Sequence, residues 1–245
     1  MPSPRIDVLD DYDALSRVGA DLVCDFLGAT PEARVLVATG ATPMGLYREL
    51  ARRRERGELD ATGVTVFQLD EYAGITPDDR RSLLGWARRS FMEPLGIPPE
   101  RVVPVPTDGD PAACAAYDRQ VERAGGYDLA ILGIGRNGHV GFNEPPSGPT
   151  APTRLVDLSP ESIDSNAAYW GDVERVPRSA VTVGMAGLLR SRTILLVASG
   201  ASKREIVRRA VLDPATDAVP ASHLRTAGDL RVLVDRAAWD GSEPA

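Results

Sequence analysis

The sequence has 245 residues, of which 43% are hydrophobic and 26% are charged, and these proportions are typical of a soluble globular protein. Its formal net charge of −7 argues against general nucleic-acid binding, and no apolar run approaches the roughly 20 residues that cross a bilayer. The amino terminus lacks the apolar stretch of a signal peptide, and two cysteines, Cys24 and Cys114, are too few for a disulfide framework, so we predict a reduced, cytoplasmic protein without membrane association.

Short apolar runs rich in β-branched residues alternate along the chain with amphipathic stretches. The runs predict buried strands at 35–38, 64–69, 129–134, 193–199 and 231–235. The stretches between them predict helices at 10–27, 43–56, 81–93, 111–124, about 160–170, 177–190 and 202–212. This alternation predicts an α/β fold, in which residues 1–245 form a single Rossmann-like domain with a doubly wound, mainly parallel sheet and helices on both faces.

Polar or glycine-rich loops follow four of the predicted strands. In a parallel sheet such loops meet at one edge, beyond the carboxyl ends of the strands, where ligands bind. The loops are TGATPMG after 35–38, DEYAG after 64–69, GRNGHVGFNEP after 129–134 and GASKRE after 193–199. One such loop is a weak signal, but their joint placement predicts a binding site.

The first loop, Thr39 to Pro43, joins a strand to a helix. Gly40 and Ala41 let a ligand approach the backbone closely, and Pro43 suits the first helical turn. Backbone N–H groups and the hydroxyls of Thr39 and Thr42 would hold an anion, most simply phosphate. A plain helix cap explains the loop alone equally well.

Charged side chains in two other loops are candidates for the same site. Asp70 and Glu71 form an acidic pair at a strand end, where a neighbouring charge or burial would raise the pKa of a general base. Capping of the following segment by Asp70 is the plainer interpretation of such a pair. Lys203, the only lysine in the chain, is placed to neutralise an anion together with the 39–43 loop, although a solvated helix residue is its ordinary role.

His139 lies among glycines and is followed five residues later by Glu144. A histidine transfers protons near neutral pH, and a carboxylate beside it would orient it or raise its basicity. No Ser or Cys lies in a nucleophile elbow, and His223 is too distant in sequence to suggest a metal site, so we predict neither an acyl-enzyme nor a bound metal. A carboxylate base, a histidine and an anion cradle suit proton transfer next to the carbonyl of a sugar phosphate.

The order of five segments resembles the glucosamine-6-phosphate deaminase/isomerase family over about residues 35–235. The segments are TGATP, LDEYAG, LGIGRNGHVGFNEP, VPRSAVTVGMAGLL and SGASK. The GHxxFNEP string is the most specific part. The related 6-phosphogluconolactonases share the fold and a GH motif but typically continue with an ASLFP-like string, so FNEP favours the deaminase side.

The resemblance implies a reaction without a cofactor and a role for each candidate residue. His139, supported by Glu144, would open the pyranose ring, and Asp70 would take the proton from C2 and return it at C1. The resulting enolamine would become fructose 6-phosphate and release ammonia. The segment Thr39, Gly40, Ala41, Thr42 and the side chain of Lys203 would hold the phosphate.

Three positions depart from the pattern of the family. Asn137 stands where members often have aspartate, and we expect it to orient groups instead of titrating. Ala168 stands where the family has a phosphate-binding arginine, for which Arg175 or Arg178 is a candidate substitute if a mobile lid carries it, and we expect such a lid within 145–175. Val156 replaces an expected lysine near Arg154, so we predict no allosteric activation by N-acetylglucosamine 6-phosphate.

Several hypotheses remain open from the sequence. The leading one is an enzyme that deaminates and isomerises an amino-sugar phosphate, and the second is the same chemistry on a different or unphosphorylated amino sugar, suggested by Ala168. A sugar-phosphate sensor without turnover and a 6-phosphogluconolactonase-like hydrolase are weaker alternatives. Both a monomer and a homo-oligomer are compatible with the sequence.

Overall fold

The computed structural model of the protein describes residues 4–76, 78–239 and 241. Its strands are β1 (Arg5–Leu9), β2 (Arg34–Val37), β3 (Thr65–Gln68), β4 (Asp70–Tyr72), β5 (Val102–Val103), β6 (Leu129–Gly133), β7 (Arg154–Asp157), β8 (Ser179–Thr182), β9 (Thr193–Ala198) and β10 (Leu230–Asp235). Its α-helices are α1 (Tyr12–Ala29), α2 (Met44–Glu55), α3 (Leu83–Ala87), α4 (Pro111–Ala124), α5 (Pro160–Trp170), α6 (Met185–Leu189) and α7 (Arg204–Val211). Helix α3 continues into a π-helical turn, Arg88–Met92, and short 3₁₀ segments lie at Pro99–Arg101, Val173–Arg175, Ala201–Lys203 and Pro220–Thr226.

Within the described residues, seven parallel strands form the central sheet in the order β1-β10-β9-β6-β2-β3-β5. Successive side chains of a strand point to opposite faces, so both faces of the buried strands must be covered. Val35 and Val37 pack with helices α1 and α2, whereas Leu36 packs with α4, α6 and α7 on the other face. The predicted doubly wound α/β fold is therefore confirmed.

The order of the strands reverses between β2 and β6. From β2 the chain continues outward through β3 to β5, and β6 then returns to the other side of β2. At such a reversal the loops beyond the two carboxyl ends diverge and leave a crevice, where ligands of open α/β sheets bind. The loops after β2 and β6 are two of the four that the sequence marks as functional.

A second, antiparallel sheet of three strands in the order β4-β8-β7 lies beside the carboxyl edge of the main sheet. Tyr72 of β4, Ile163 and Trp170 of α5 and Ala180 of β8 belong to one small hydrophobic cluster. This cluster joins α5 to the small sheet and so supports the helix above the crevice.

One predicted element is wrong, and another is slightly shorter than predicted. The expected helix at 177–190 is strand β8 followed by the short helix α6, because Ser179–Thr182 pairs with both β4 and β7 and its apolar side chains are buried. The expected strand at 64–69 ends at Gln68, and the chain crosses into the small sheet at Asp70. No helix in the described part of the chain has the length and apolar character required to cross a membrane.

Candidate active site

The loops beyond β2, β3, β6 and β9 converge on a cavity of about 590 Å³. Helix α5 contributes a further part of its wall through Ser162, Ser165, Asn166, Ala168 and Tyr169, and α3 contributes Leu83 and Trp86. A volume of this size accommodates a monosaccharide phosphate. The structure thus brings to one site the loops that the sequence predicts to act together.

His139 and Glu144 contact each other at this cavity. The Nδ1 atom of His139 lies 3.3 Å from the Oε2 atom of Glu144, and the His139 ring lines the cavity while Glu144 is buried behind it. Because Nδ1 faces the carboxylate, Nε2 is the nitrogen that remains for a ligand. Burial raises the pKa of Glu144, but hydrogen bonds from His139, Ser162 and Asn137 together lower it to about 2, so this carboxylate is ionised at neutral pH.

Asn137 connects the two members of this pair. Its Nδ2 donates to Glu144 Oε2 at 2.8 Å, and its Oδ1 accepts the backbone N–H of His139 at 3.2 Å. An amide can do both at once because it carries a donor and an acceptor, whereas a carboxylate can only accept.

Ser162 is a participant that the sequence reasoning missed. Its hydroxyl donates to Glu144 Oε1 in a short hydrogen bond and lies 3.3 Å from His139 Nδ1. Helix α5 carries Ser162 together with Ser165, Asn166 and Tyr169, a spacing that places polar groups on one helix face. This helical spacing of polar residues is visible in the sequence and predicts a polar face on α5.

Two glycines explain why the 135–141 loop packs so closely. A Cβ atom at Gly135 would lie 2.3 Å from His139 Cε1, so the histidine ring can rest against the backbone only because this residue has no side chain. Gly141 has a φ of 58°, and a Cβ there would lie 2.9 Å from the Thr182 hydroxyl and 3.3 Å from Asp70 Oδ2. The glycines that flank His139 in sequence therefore bring the loop up to β4 and β8.

Asp70 lines the cavity from the first position of β4 and is 7% exposed. Among the described residues, no donor forms a hydrogen bond to its carboxylate. Burial, and after it the negative charge of Glu71, raises the pKa of Asp70 to about 8. An acid with this pKa exchanges a proton near neutral pH, as a general base must.

The loop between β2 and α2 forms a further part of the cavity wall. Gly40 adopts a φ of 100°, which favours glycine, and the Tyr12 hydroxyl fixes the turn by donating to Thr42 O at 2.9 Å and accepting the Gly45 N–H at 2.8 Å. In the described part of the chain, the hydroxyls of Thr39 and Thr42 make no hydrogen bond to protein. Both residues line the cavity, so these groups are available to a ligand.

Lys203 lines the same cavity from the segment after β9. Its Nζ donates to Ile134 O at 2.6 Å, and burial, followed by the nearby positive charge of Arg136, lowers the pKa of Lys203. Arg136, which the sequence reasoning did not single out, also lines the cavity. Ala168 lines it too, but Arg175 and Arg178 are exposed residues that do not, so neither substitutes for the expected arginine in this conformation.

His223 belongs to a different part of the molecule. Its Nε2 lies 2.8 Å from Asp217 Oδ1, and the residue does not contribute to the cavity wall. Within residues 4–76, 78–239 and 241, no group of three or more His, Cys, Asp or Glu side chains is arranged to hold a metal ion. His139 is thus the histidine associated with the site.

The fold and the cavity define an α/β protein with ionisable side chains and free hydroxyls around a cavity at the switch point of a parallel sheet. Residues 12–232 match the family of glucosamine-6-phosphate isomerases/6-phosphogluconolactonase, and the chain belongs to this family. It is 38% identical to the glucosamine-6-phosphate deaminase of Halothermothrix orenii over 96% of this chain and 98% of that protein. It is also 38% identical to the enzyme of the same name from Hahella chejuensis, over 94% and 89% of the two chains.

Solved structures show the same relationship. A protein described as a monomeric glucosamine-6-phosphate deaminase superposes with a TM-score of 0.92 at 36% identity, covering 96% of this chain and 98% of its own. The 6-phosphogluconolactonase of Trypanosoma brucei superposes with a TM-score of 0.75 at 21% identity, covering 96% and 97%. The second likeness is one of fold.

Proposed function

We propose that this chain converts glucosamine 6-phosphate and water into fructose 6-phosphate and ammonia. The observation that carries the proposal is that Asp70, His139, the 39–43 loop and Lys203 line one cavity, with Glu144 in contact with His139. The relatives that share the full length of the chain and bear the name of this activity support it.

His139 acts first, in opening the sugar ring. The ring oxygen must gain a proton while the C1 hydroxyl loses one, and an imidazole that exchanges protons through Nε2 serves this step. Glu144 remains ionised against Nδ1 and stabilises the imidazolium as it forms. Asn137 holds both partners in place without adding charge.

Asp70 then moves one proton between two carbon atoms. Its carboxylate removes the proton from C2 of the open-chain sugar and returns it at C1, which turns the aldose into an enolamine and then into a ketose imine. Water adds to C2 of the imine, and ammonia leaves. Because the carboxylate is buried and lacks hydrogen-bond donors among the described residues, its basicity is high and the proton it carries is shielded from bulk water.

The phosphate binds to the 39–43 loop and Lys203. The N–H groups and hydroxyls of the 39–43 loop and the Lys203 ammonium complement a dianion. Helix α5, within the segment 145–175 that we expect to close on the substrate, covers the site and bonds to Glu144 through Ser162. Closure of this helix would exclude water and align the pair with the sugar.

One observation favours a second candidate, the same reaction on an unphosphorylated or otherwise different amino sugar. Ala168 presents a methyl group to the cavity where a phosphate-binding arginine was expected. Ammonia release and ketose formation, measured with glucosamine 6-phosphate and with glucosamine, separate the two candidates. Turnover of the phosphate alone supports the proposed function, whereas turnover of glucosamine alone supports the second, and hydrolysis of 6-phosphogluconolactone without deamination contradicts both.

A further inference from the structure

Two basic side chains line the cavity. Arg136 comes from the loop after β6 and Lys203 from the segment after β9, and among the described residues that line the cavity they are the only arginine and lysine. Neither forms an ion pair with an acidic side chain of the described chain. Lys203 is bonded only to a carbonyl, that of Ile134, two residues before Arg136.

Like charges that approach each other without an intervening acid are unfavourable in the empty protein. Burial lowers the pKa of Lys203, and the positive charge of Arg136 lowers it further, so the two positive charges repel each other. An anion bound between them would relieve both the repulsion and the desolvation. The free hydroxyls of Thr39 and Thr42 line the same cavity and would donate to that anion.

The rest of the cavity wall offers no other arginine. Helix α5 has the sequence PESIDSNAAYW, without a basic residue, and Ala168 is its contribution where a cation would be useful. Arg175 and Arg178 follow this helix but are exposed and outside the cavity wall, and Arg178 lies 3.9 Å from Glu174. Among the described residues that line the cavity, Arg136 is therefore the one that can present a planar guanidinium to a ligand.

We propose that Arg136 is the second phosphate-binding cation of this protein and takes the place of a cation that α5 does not supply. The identity of the ligand as a sugar phosphate rests on the proposed function. The guanidinium engages two phosphate oxygens through parallel hydrogen bonds, while Lys203 acts as a point charge from the other loop. Because the two long side chains come from different loops, they would contact the dianion from two sides.

The test compares Arg136→Ala, Arg136→Lys and a matched control, Arg175→Ala. Arg136 is exposed and the hydrogen bonds of the fold do not depend on it, so the variants are expected to fold, which circular dichroism verifies. Loss of charge-assisted hydrogen bonds at a group remote from the reacting carbons should raise the KM for glucosamine 6-phosphate about tenfold or more in Arg136→Ala, with kcat within about twofold. Arg136→Lys should recover part of the affinity, and Arg175→Ala should behave as the wild type.

An unchanged KM in Arg136→Ala, or a comparable rise in Arg175→Ala, overturns the assignment. Isothermal titration with inorganic phosphate provides a readout that does not depend on turnover. Phosphate binding by the wild type that weakens in Arg136→Ala supports the site even if glucosamine 6-phosphate is not turned over, in which case only the proposed function fails. Equal binding by both proteins contradicts the role of Arg136, and no binding by the wild type contradicts the anion site itself.

Discussion

Glu71 follows Asp70 directly in β4, and the two buried carboxylates have opposite hydrogen-bond environments. Glu71 accepts five hydrogen bonds, from Gln68 Nε2, the Ser82 hydroxyl and the backbone N–H groups of Tyr72, Leu83 and Leu84. Asp70 accepts none from the described residues and faces the cavity. The negative charge of Glu71 raises the pKa of Asp70, so the hydrogen-bonded carboxylate tunes the neighbouring carboxylate that faces the cavity.

The pH dependence of the reaction should report on Asp70. Its pKa of about 8 in the free protein means that most molecules carry a protonated, inactive base at pH 6. We expect kcat/KM for glucosamine 6-phosphate to rise about tenfold per pH unit below this value and to level off above it, because this ratio reflects the free enzyme. A profile that is flat between pH 6 and 8 would remove Asp70 from the role of general base.

The same shift of pKa predicts a gain in stability for Asp70→Asn. The pKa of Asp70 is raised from 3.8 to about 8 in the folded protein. The contribution of Asp70 to the free energy of unfolding is therefore most favourable below about pH 4, where the carboxyl group is neutral in both the folded and the unfolded protein. This contribution is lost as the pH rises toward 8, because the folded protein must then accommodate a buried charge. Asp70→Asn should raise Tm by several degrees at pH 8 and by progressively less toward pH 5. Thermal melts over this range would count against the account if the variant were less stable throughout.

Removal of the negative charge of Glu71 should shift the acidic side of the pH profile of kcat/KM. In Glu71→Gln the repulsion on Asp70 is relieved, so the pKa of Asp70 falls and half-maximal kcat/KM appears at a lower pH. The amide cannot satisfy all five donors, and we expect a loss of about 1–3 kcal/mol in the free energy of unfolding. The exposed acid Glu58 provides the control, since Glu58→Gln should change neither property. An acid limb at the same pH in Glu71→Gln would disprove the electrostatic role.

The hydroxyl of Ser162 should matter for turnover, whereas that of its neighbour on α5 should not. Ser162→Ala removes a hydrogen bond to Glu144 and a contact with His139, and we expect kcat to fall about tenfold. Ser165 lies on the same cavity wall, but its hydroxyl bonds back to the carbonyl of Glu161. Steady-state kinetics of Ser162→Ala and Ser165→Ala therefore separate a role at the catalytic pair from an effect on the helix, and equal losses would point to the helix.

Gly135→Ala should displace the ring of His139 without unfolding the protein. The added Cβ would overlap the ring at 2.3 Å, so either the ring or the loop must shift. We expect kcat to fall by about 10²-fold or more, the scale of a lost acid–base catalyst. As a control, Gly28→Ala in α1 meets no atom within 4 Å and should leave activity intact. Full activity in Gly135→Ala would mean that the position of the ring is not critical.

The sequence is sufficient to predict the main sheet and most of the cavity wall, for a physical reason. Buried parallel strands such as β6 and β9 require continuous apolar runs, and the topology then places the polar loops after them at one edge. Thr39, Asp70, His139 and Lys203 are found together on this account.

The small sheet and the role of α5 were harder to predict. Strands β4 and β7 are short, β7 is half exposed, and neither contains the apolar run that marks a buried strand. The pairing of β8 with both strands depends on contacts between residues that are distant in sequence. Arg136 and Ser162 have ordinary residue types for a loop and a helix. Only the packing of α5 over the crevice reveals that Ser162 reaches Glu144.

The most direct test of the central claim follows the proton that Asp70 is expected to move. Glucosamine 6-phosphate deuterated at C2 is incubated with the wild type and with Asp70→Asn, and ammonia and the label at C1 of the product are measured. We predict that the wild type releases ammonia and forms fructose 6-phosphate with deuterium at C1, since the carrier is buried, and that Asp70→Asn is about 10²- to 10⁴-fold slower. Absence of ammonia from the wild type, or equal rates for the two proteins, would contradict the account.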